Sequence, residues 1–187
     1  MRVIIFEGIA TSGKSTLIKL LQKKFQEPSK TIVFNEEETH EPIMKDTSGI
    51  NVSFFKSLLA KIDKGSELVI FDRLYLTQAF RANVKLDVYA EIEEELLAYS
   101  PIIIFLKVDE SAIVERITKA AEHRRTSWAD YIKTKGSKPE EIANYYIQQQ
   151  QSLQELLGQS SLHYKIFDTT DHEYNKIADE IIKITRK

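Results

Sequence analysis

Hydrophobic residues fall into five short runs along this chain, and each run is rich in β-branched and aromatic side chains. Their length and composition are typical of buried β-strands rather than of helices. The predicted strands cover residues 3–6, 31–34, 68–71, 102–108 and 164–167. Such continuous apolar runs are expected of strands that are buried on both faces of a sheet.

The stretches between these runs carry apolar residues at intervals of three and four, which is the spacing of amphipathic helices. The predicted helices cover residues 14–26, 52–64, 86–99, 111–121, 139–157 and 173–184. Strands that alternate with helices form parallel sheets with helices on both faces. The sequence therefore predicts an α/β fold with a five-stranded parallel sheet, and we expect residues 1–187 to form a single domain.

Composition narrows the classes of protein that this chain can represent. It has 187 residues and no cysteine, which excludes disulfides, thiolate metal sites and a cysteine nucleophile. Its 26 basic and 28 acidic residues give a net charge of −2, so we expect no binding to nucleic acid or to an anionic membrane. We find no apolar run of membrane-spanning length and no signal peptide, so we expect a cytoplasmic protein.

A phosphate-binding pattern, G-x-x-x-x-G-K-[ST], lies between the first predicted strand and the first predicted helix. We call this segment, residues 8–16, the phosphate loop. Its glycines let the backbone wrap a phosphate with N–H groups, and the helix that follows points its positive end at the same anion. We expect the nucleotide to be bound by Gly8, Ala10, Thr11, Ser12, Gly13, Lys14, Ser15 and Thr16. Lys14 is expected to reach the β- and γ-phosphates, and the Ser15 hydroxyl to bind Mg²⁺.

The third predicted strand is followed by two charged residues, Asp72 and Arg73. An acid at that end of the strand faces the phosphate loop in an open α/β sheet, so we expect Asp72 to hold Mg²⁺ directly or through water. The alternative is that Asp72 caps the next helix, and one side chain can do both. We expect Arg73 to bind a phosphate with two N–H groups, with a surface ion pair as the alternative.

Basic residues gather after the fourth predicted strand, at Arg116, Lys119, Arg124 and Arg125. Phosphoryl transfer requires positive charge over the bound substrate, and the polar stretch at residues 122–138 can act as a lid that brings it there. We expect Arg116 to contact the nucleotide, and Arg124 and Arg125 to act in catalysis. The alternative is an ordinary solvated face of positive charge.

The acceptor of the phosphoryl group is expected to lie beyond the second and third strands. Three successive glutamates at residues 36–38 are expected to be solvated. Glu41 differs because Pro42 restricts it to an extended conformation, in which it can accept a proton from a hydroxyl or orient a sugar. Side chains suited to a nucleobase follow Arg73 at Tyr75, Gln78, Arg81 and Asn83. Packing in the core is the alternative for Tyr75.

Together these features resemble the thymidylate kinase and deoxynucleoside kinase group of P-loop phosphotransferases. Phe6-Glu7-Gly8-Ile9 and the rest of the phosphate loop are similar to the start of thymidylate kinases, and Asp72-Arg73 matches their Asp-Arg dipeptide. Glu41-Pro42 resembles a Glu-Pro pair of both branches. The resemblance implies a three-layer sandwich with a lid, ATP and Mg²⁺ as cofactors and a small-molecule acceptor. It also implies a homodimer through the helices at residues 52–64 and 86–99.

Three departures bear on the choice of acceptor. Ala10 stands where thymidylate kinases usually have an acid, and His40 stands where they have an arginine before the Glu-Pro pair. Deoxynucleoside kinases usually have Glu-Arg-Ser where this chain has Asp72-Arg73-Leu74, and they use the Glu of their Glu-Pro pair as the base. In that branch Glu41 would activate the sugar hydroxyl.

The sequence therefore predicts ATP-dependent phosphoryl transfer to a nucleoside monophosphate, as in thymidylate kinases. The alternative within the same group is a deoxynucleoside kinase that phosphorylates a sugar hydroxyl. An alternative from another class is a nucleotide-dependent regulatory ATPase, although the chain has no N-K-x-D segment of the guanine-nucleotide switches. The same scaffold also supports a kinase of a small metabolite that is not a nucleotide.

Overall fold

The computed structural model describes residues 1–25, 30–43, 51–63, 65–123 and 126–185. Its strands are β1 (Arg2–Glu7), β2 (Thr31–Phe34), β3 (Leu68–Asp72), β4 (Pro101–Lys107) and β5 (Tyr164–Asp168). They form one sheet in the order β2-β3-β1-β4-β5, and all four pairings are parallel. The five predicted strands are confirmed, each to within one residue at either end.

Nine α-helices occur in the described residues. They are α1 (Lys14–Lys24), α2 (Glu36–Thr39), α3 (Val52–Leu59), α4 (Tyr75–Ala82), α5 (Ala90–Leu97), α6 (Glu110–His123), α7 (Thr126–Lys133), α8 (Pro139–Leu157) and α9 (Tyr174–Thr185). The 3₁₀ helices are Glu41–Ile43 and Leu86–Tyr89. All six predicted helices are present, and the one predicted at residues 86–99 divides into a 3₁₀ turn and α5. No helix among the described residues is long and apolar enough to span a membrane.

Helices α2 and α7 lie where the sequence suggested irregular structure. The four residues of α2 are too few to show helical periodicity, and its start is fixed locally because the Asn35 N–H donates to the Glu38 carboxylate at 3.1 Å. Helix α7 lies within the stretch expected to form a lid. Its apolar residues Trp128 and Ile132 are four apart and pack against the same hydrophobic cluster, so they fall on one helical face.

Side chains of β1 alternate between the two faces of the sheet. Val3 and Ile5 join a cluster with α3, α4, α5 and α8, whereas Ile4 and Phe6 join a cluster with α1 and α9. Both faces are therefore covered, which confirms the predicted three-layer α/β fold. A third cluster packs α6, α7 and α8 against Ile9 of the phosphate loop. In the register of the sheet Phe6 lies beside Asp72, so the ends of β1 and β3 meet at one edge.

Candidate active site

The phosphate loop connects β1 to α1 and depends on glycine at both of its ends. Gly8 has φ of +139° and Gly13 has φ of +95°, which are conformations that side chains disfavour. A Cβ atom on Gly8 would lie 2.6 Å from the carbonyl oxygen of Leu106, and one on Gly13 would lie 2.7 Å from the hydroxyl of Tyr174. The backbone geometry of the predicted motif is thus present, and each glycine has a steric reason.

Lys14 is the first residue of α1, and its ammonium lies inside the phosphate loop. Its Nζ donates to the carbonyl oxygens of Ile9 at 3.0 Å and of Gly8 at 3.1 Å. Burial, followed by the charge of Arg73, lowers the pKa of Lys14 to about 8. The loop therefore holds a cation that is under-solvated and that an anion would stabilise.

Ser15 and Asp72, the two predicted Mg²⁺ ligands, lie next to each other. The Ser15 hydroxyl donates to Oδ2 of Asp72 at 3.5 Å, while Oδ1 of Asp72 is buried and has no partner in the described part of the chain. Burial raises the pKa of Asp72. Oxygen ligands with unused lone pairs fit Mg²⁺, which usually takes one or two protein carboxylates and completes its shell with water and phosphate. The described residues contain no group of three or more His, Cys, Asp or Glu side chains that could hold a metal ion.

Arg73 reaches the phosphate loop from the end of β3. Its Nη1 donates to the carbonyl oxygen of Gly8 at 2.8 Å and to the Thr77 hydroxyl at 3.0 Å. The residue is buried and has φ of +68°, a conformation that few non-glycine residues adopt. Arg73 thus lies beside the phosphate loop, and its binding of a phosphate stays a prediction. It also forms an ion pair with Glu36, which is partly buried rather than a surface contact.

Glu7 is the last residue of β1, and its fully buried carboxylate organises the start of α4. It accepts from the backbone N–H of Leu74 at 3.0 Å and from the Thr77 hydroxyl at 2.6 Å. Thr77 in turn accepts from Arg73. Glu7 therefore holds Arg73 in place indirectly, through Thr77. In a sequence, an acid directly before the phosphate loop can indicate this role.

Glu36 is the site residue that the sequence analysis missed. It begins α2 just after β2, and its Oε1 accepts from Nε of Arg73 at 2.9 Å. Burial alone would raise its pKa, but the charges of Arg73 and Lys14 outweigh burial and lower the pKa of Glu36 to about 2. The side chain is 46% exposed, so it is partly solvated as expected, but the ion pair with Arg73 was not predicted. It forms because the end of β2 lies beside the end of β3. The signal available in the sequence was the position of Glu36 two residues after a strand.

Helix α2 is also fixed to β3 by a second contact. The buried Thr39 hydroxyl donates to the backbone carbonyl of Asp72 at 2.7 Å. Because this bond and the Glu36–Arg73 pair join the same two elements, the position of Glu36 is defined from both ends of α2.

Glu41 begins a 3₁₀ helix, so the expected extended conformation was wrong. The N–H of Ile43 donates to the carbonyl of His40 at 3.1 Å, and this closes the turn without an N–H from Pro42. The side chain of Glu41 lies outside the described part of the structure, as do Arg124 and Arg125 altogether. Their catalytic roles stay predictions.

His40 and Arg81 add polar groups near Arg73. His40 is fully buried, and both of its ring nitrogens lack partners in the described residues, as does the buried Nη1 of Arg81. Burial, then the charges of Arg81 and Arg73, hold the pKa of His40 well below its ordinary value. Three polar atoms without partners at one place indicate a ligand or water that completes them.

Arg116 lies on α6 beside the phosphate loop. Its Nη1 donates to the carbonyl oxygen of Thr11 at 3.1 Å, and its Nη2 donates to the carbonyls of Thr169 and Thr170 in the β5–α9 connection. The structure thus brings Arg116 to the predicted nucleotide site. Its guanidinium also lies 3.4 Å from the Thr169 hydroxyl and 3.4 Å from Nε2 of His172, so it is held between the phosphate loop and the β5–α9 connection.

Tyr75 belongs to the core and not to a nucleobase site. Its ring is fully buried and stacks on Tyr89 with centroids 5.7 Å apart. Its hydroxyl donates to Glu93 at 2.7 Å, and Glu93 also accepts from Ser160 and Ser161. The nucleobase interpretation of Tyr75 was wrong, because α4 turns this face of the helix toward the sheet.

A parallel sheet whose first strand leads through a glycine-bounded phosphate loop into a helix, with an acid at the end of the neighbouring strand, defines the P-loop class of folds. No family model matches this chain, and no curated protein matches it significantly in sequence.

Solved structures match the chain over almost its whole length. The YorR protein from Bacillus subtilis, in complex with phosphorylated GDP, has a TM-score of 0.63 and 20% identity over 97% of this chain and 94% of its own. A deoxyadenosine kinase from M. mycoides has a TM-score of 0.57 and 20% identity over 100% and 99%. A thymidylate kinase from Ehrlichia chaffeensis has a TM-score of 0.62 and 16% identity over 98% and 97%. The fold is therefore that of the P-loop kinases, which confirms the resemblance at the level of fold.

Proposed function

We propose that this chain transfers the γ-phosphoryl group of ATP to a nucleoside monophosphate, as thymidylate kinases do. The observation that carries this proposal is the contact of Arg73 with the carbonyl oxygen of Gly8 at 2.8 Å. That contact places a second cation, next to Lys14, at the end of the phosphate loop where donor and acceptor would meet. The neighbouring folds named above support the reaction class.

Charge stabilisation and positioning are the main requirements of phosphoryl transfer, because its transition state is loose and spreads negative charge over the phosphoryl oxygens. The backbone N–H groups of the phosphate loop and the ammonium of Lys14 bind the donor phosphates. Ser15 and Asp72 hold Mg²⁺, which supplies charge neutralisation at the phosphates when it is bound. Glu7 and Thr77 keep the guanidinium of Arg73 directed at the loop.

Two arginines and a neutral histidine lie together on the acceptor side. Arg73 and Arg81 both lie near the neutral ring of His40, and the charge of Arg73 is opposed by Glu36, Glu7 and Asp72. An acceptor that already carries a phosphate fits this site, because it would provide oxygens for the N–H groups of Arg81 and His40 that lack partners in the described residues. This favours a nucleotide over a nucleoside.

A nucleoside kinase is the second candidate, and Glu36 is the residue that favours it. A carboxylate beside Arg73 can accept the hydrogen of a sugar hydroxyl and direct its oxygen toward the γ-phosphate. With a pKa of about 2, Glu36 is a weak base, so its contribution would be orientation of the hydroxyl more than removal of its proton. Glu41 remains the other predicted base.

The test is release of ADP from ATP·Mg²⁺ with a panel of nucleosides and nucleoside monophosphates, with Lys14→Ala and a reaction without acceptor as controls. Stimulation by one monophosphate supports the proposal and names its base. Stimulation by a nucleoside only supports the second candidate. ADP release that no acceptor increases contradicts both and supports a regulatory ATPase, and no release at all contradicts both and supports an acceptor that is not a nucleotide.

The homodimer stays a prediction. It would use α3 and α5, whose described outer surface includes Leu97, an apolar side chain that is 54% exposed. The same surface carries the ion pair between Lys56 and Glu91 at 2.5 Å. Sedimentation of the wild type and of Leu97→Lys would test it, since a charge at the centre of an apolar contact should shift the equilibrium toward monomers.

A further inference from the structure

Two successive carbonyl groups of the phosphate loop are bonded by side chains that lie outside the loop. The Thr11 carbonyl accepts from Nη1 of Arg116 at 3.1 Å. The Ser12 carbonyl accepts from the Thr169 hydroxyl at 2.9 Å. These are the two residues directly before Gly13, in the part of the loop that leads into α1.

A trans peptide is planar, so the N–H of each residue points opposite to the carbonyl of the residue before it. Arg116 therefore fixes the direction of the Ser12 N–H through the Thr11 carbonyl, and Thr169 fixes the Gly13 N–H through the Ser12 carbonyl. One direction can be checked, because the Ser12 N–H points at the carbonyl of Ile9, 3.3 Å away. That same oxygen accepts from Nζ of Lys14, which marks the interior of the loop.

We propose that Arg116 and Thr169 are positioning residues that hold the loop backbone in the conformation that directs the Gly13 N–H at the donor phosphates, while the Ser12 N–H donates to the Ile9 carbonyl. The inference rests on the proposed function, in which the loop binds ATP. Arg116 acts through the backbone of the loop in this proposal, because both terminal nitrogens of its guanidinium already donate to backbone carbonyls.

The two side chains are themselves held by the scaffold. Thr169 is fully buried, and its N–H donates to the Lys107 carbonyl at the end of β4 at 2.9 Å. Its hydroxyl oxygen lies 3.0 Å from that same carbonyl and 2.9 Å from the Ser12 carbonyl, so the two carbonyls share its one hydrogen. Arg116 is 8% exposed and also donates to the carbonyls of Thr169 and Thr170. The loop is thus braced by β4, by the β5–α9 connection and by α6.

Bracing of this kind has an energetic consequence at Thr11. This residue has φ of +69°, a region that costs a non-glycine residue roughly 1–2 kcal/mol. The bond from Arg116 to its carbonyl stabilises that conformation before any ligand arrives. N–H groups that are aimed in advance bind an anion more tightly, since no ordering cost falls on the binding step.

The test compares Thr169→Val, which removes the hydroxyl and keeps the shape, with Thr169→Ser, which keeps the hydroxyl. Calorimetry measures the binding of ATP·Mg²⁺ and of inorganic tripolyphosphate, which probes the loop without a base or sugar. We expect Thr169→Val to weaken both by about tenfold, the effect of one hydrogen bond, and Thr169→Ser to stay close to wild type. The KM for ATP should rise and the KM for the acceptor should not change.

Arg116→Lys keeps the charge and loses the forked guanidinium. It should weaken the binding of tripolyphosphate to a similar degree.

Thr185→Val is the matched control for the loss of a buried threonine hydroxyl. Thr185 is buried on α9 and donates to the carbonyls of Ile181 and Ile182, away from the phosphate loop. Its loss should lower the melting temperature and leave tripolyphosphate binding intact. Unchanged binding in Thr169→Val, or an equal loss in Thr185→Val, would overturn the inference. A wild type that binds tripolyphosphate but turns over no ATP would instead contradict the proposed function, and the comparison of the variants would still hold.

Discussion

The carboxylate of Glu36 accepts a hydrogen bond from Nε of Arg73 at 2.9 Å, which joins the start of α2 to the residue after β3. The same guanidinium donates to the Gly8 carbonyl at 2.8 Å. One buried side chain therefore contacts α2 and the phosphate loop at once. A change at Glu36 is therefore expected to affect the phosphate loop through Arg73, although Glu36 and Arg73 are 37 residues apart in sequence.

Glu36→Gln should reduce turnover strongly while ATP still binds. The amide cannot balance the charge of buried Arg73, so the guanidinium would turn away from the loop. Loss of a charged hydrogen bond costs about 2 kcal/mol. We expect kcat to fall by roughly 30-fold on that basis, with little change in the KM for ATP. Steady-state kinetics would check this. Glu37→Gln is the control, since Glu37 is exposed and adjacent, and equal effects in both variants would argue against a role for the ion pair.

Lys14→Ala should abolish phosphoryl transfer and leave the fold intact. In the described residues the ammonium donates to two loop carbonyls. Its removal therefore eliminates a desolvated charge and leaves the packing of the core unchanged. A fall in kcat/KM of about 100-fold or more is expected for loss of a group that stabilises transition-state charge. ADP release and circular dichroism measure the two effects. Lys19→Ala, at an exposed position on the same helix, should behave as wild type, and retained turnover in Lys14→Ala would refute the assigned site.

ATP affinity should fall as pH rises above about 8, the pKa of Lys14 in the empty loop. The folded-state pKa lies below the ordinary lysine pKa of 10.5, so folding disfavours the ammonium. The empty protein therefore gains stability from Lys14 as pH rises between these two values. Phosphate binding requires the ammonium, so binding takes up a proton in that range. Calorimetry at about pH 8.5 in buffers of different ionisation enthalpy would measure the uptake. Arg stays protonated there, so uptake that persists in Lys14→Arg would show that another group titrates.

Tyr75→Phe should destabilise the protein without affecting substrate recognition. The variant keeps the stacked ring and removes the hydroxyl that donates to Glu93 at 2.7 Å. Loss of one buried hydrogen bond to a carboxylate should cost about 1–3 kcal/mol, or several degrees of melting temperature. Calorimetry and the KM for the acceptor test the two parts. A raised KM with unchanged stability would restore the nucleobase interpretation.

Local patterns were sufficient for the strands, the phosphate loop and the acid after β3. The loop motif specifies its own backbone, because Gly8 and Gly13 are the residues that accept positive φ beside a neighbouring side chain or carbonyl. The same local reasoning predicted three solvated acids and missed the ion pair that one of them, Glu36, forms with Arg73. Its partner, Arg73, is 37 residues away, and no periodicity within α2 reports that distance.

The sequence by itself determined the order of strands and helices, the position of the phosphate loop and the identity of Lys14, Ser15 and Asp72 as the residues most suited to phosphate and Mg²⁺. Those properties depend on the spacing of apolar residues and on the chemistry of neighbours in the chain. Only the tertiary structure decided that Glu36 meets Arg73, that Tyr75 belongs to the core, and that Arg116 and Thr169 brace the loop from behind. The contacts of Arg73 and of the phosphate loop form where the ends of separate parallel strands converge, and that of Tyr75 forms between two helices packed on the sheet. None of these arrangements is local in the sequence, because the order of strands in space is set by packing of the whole sheet.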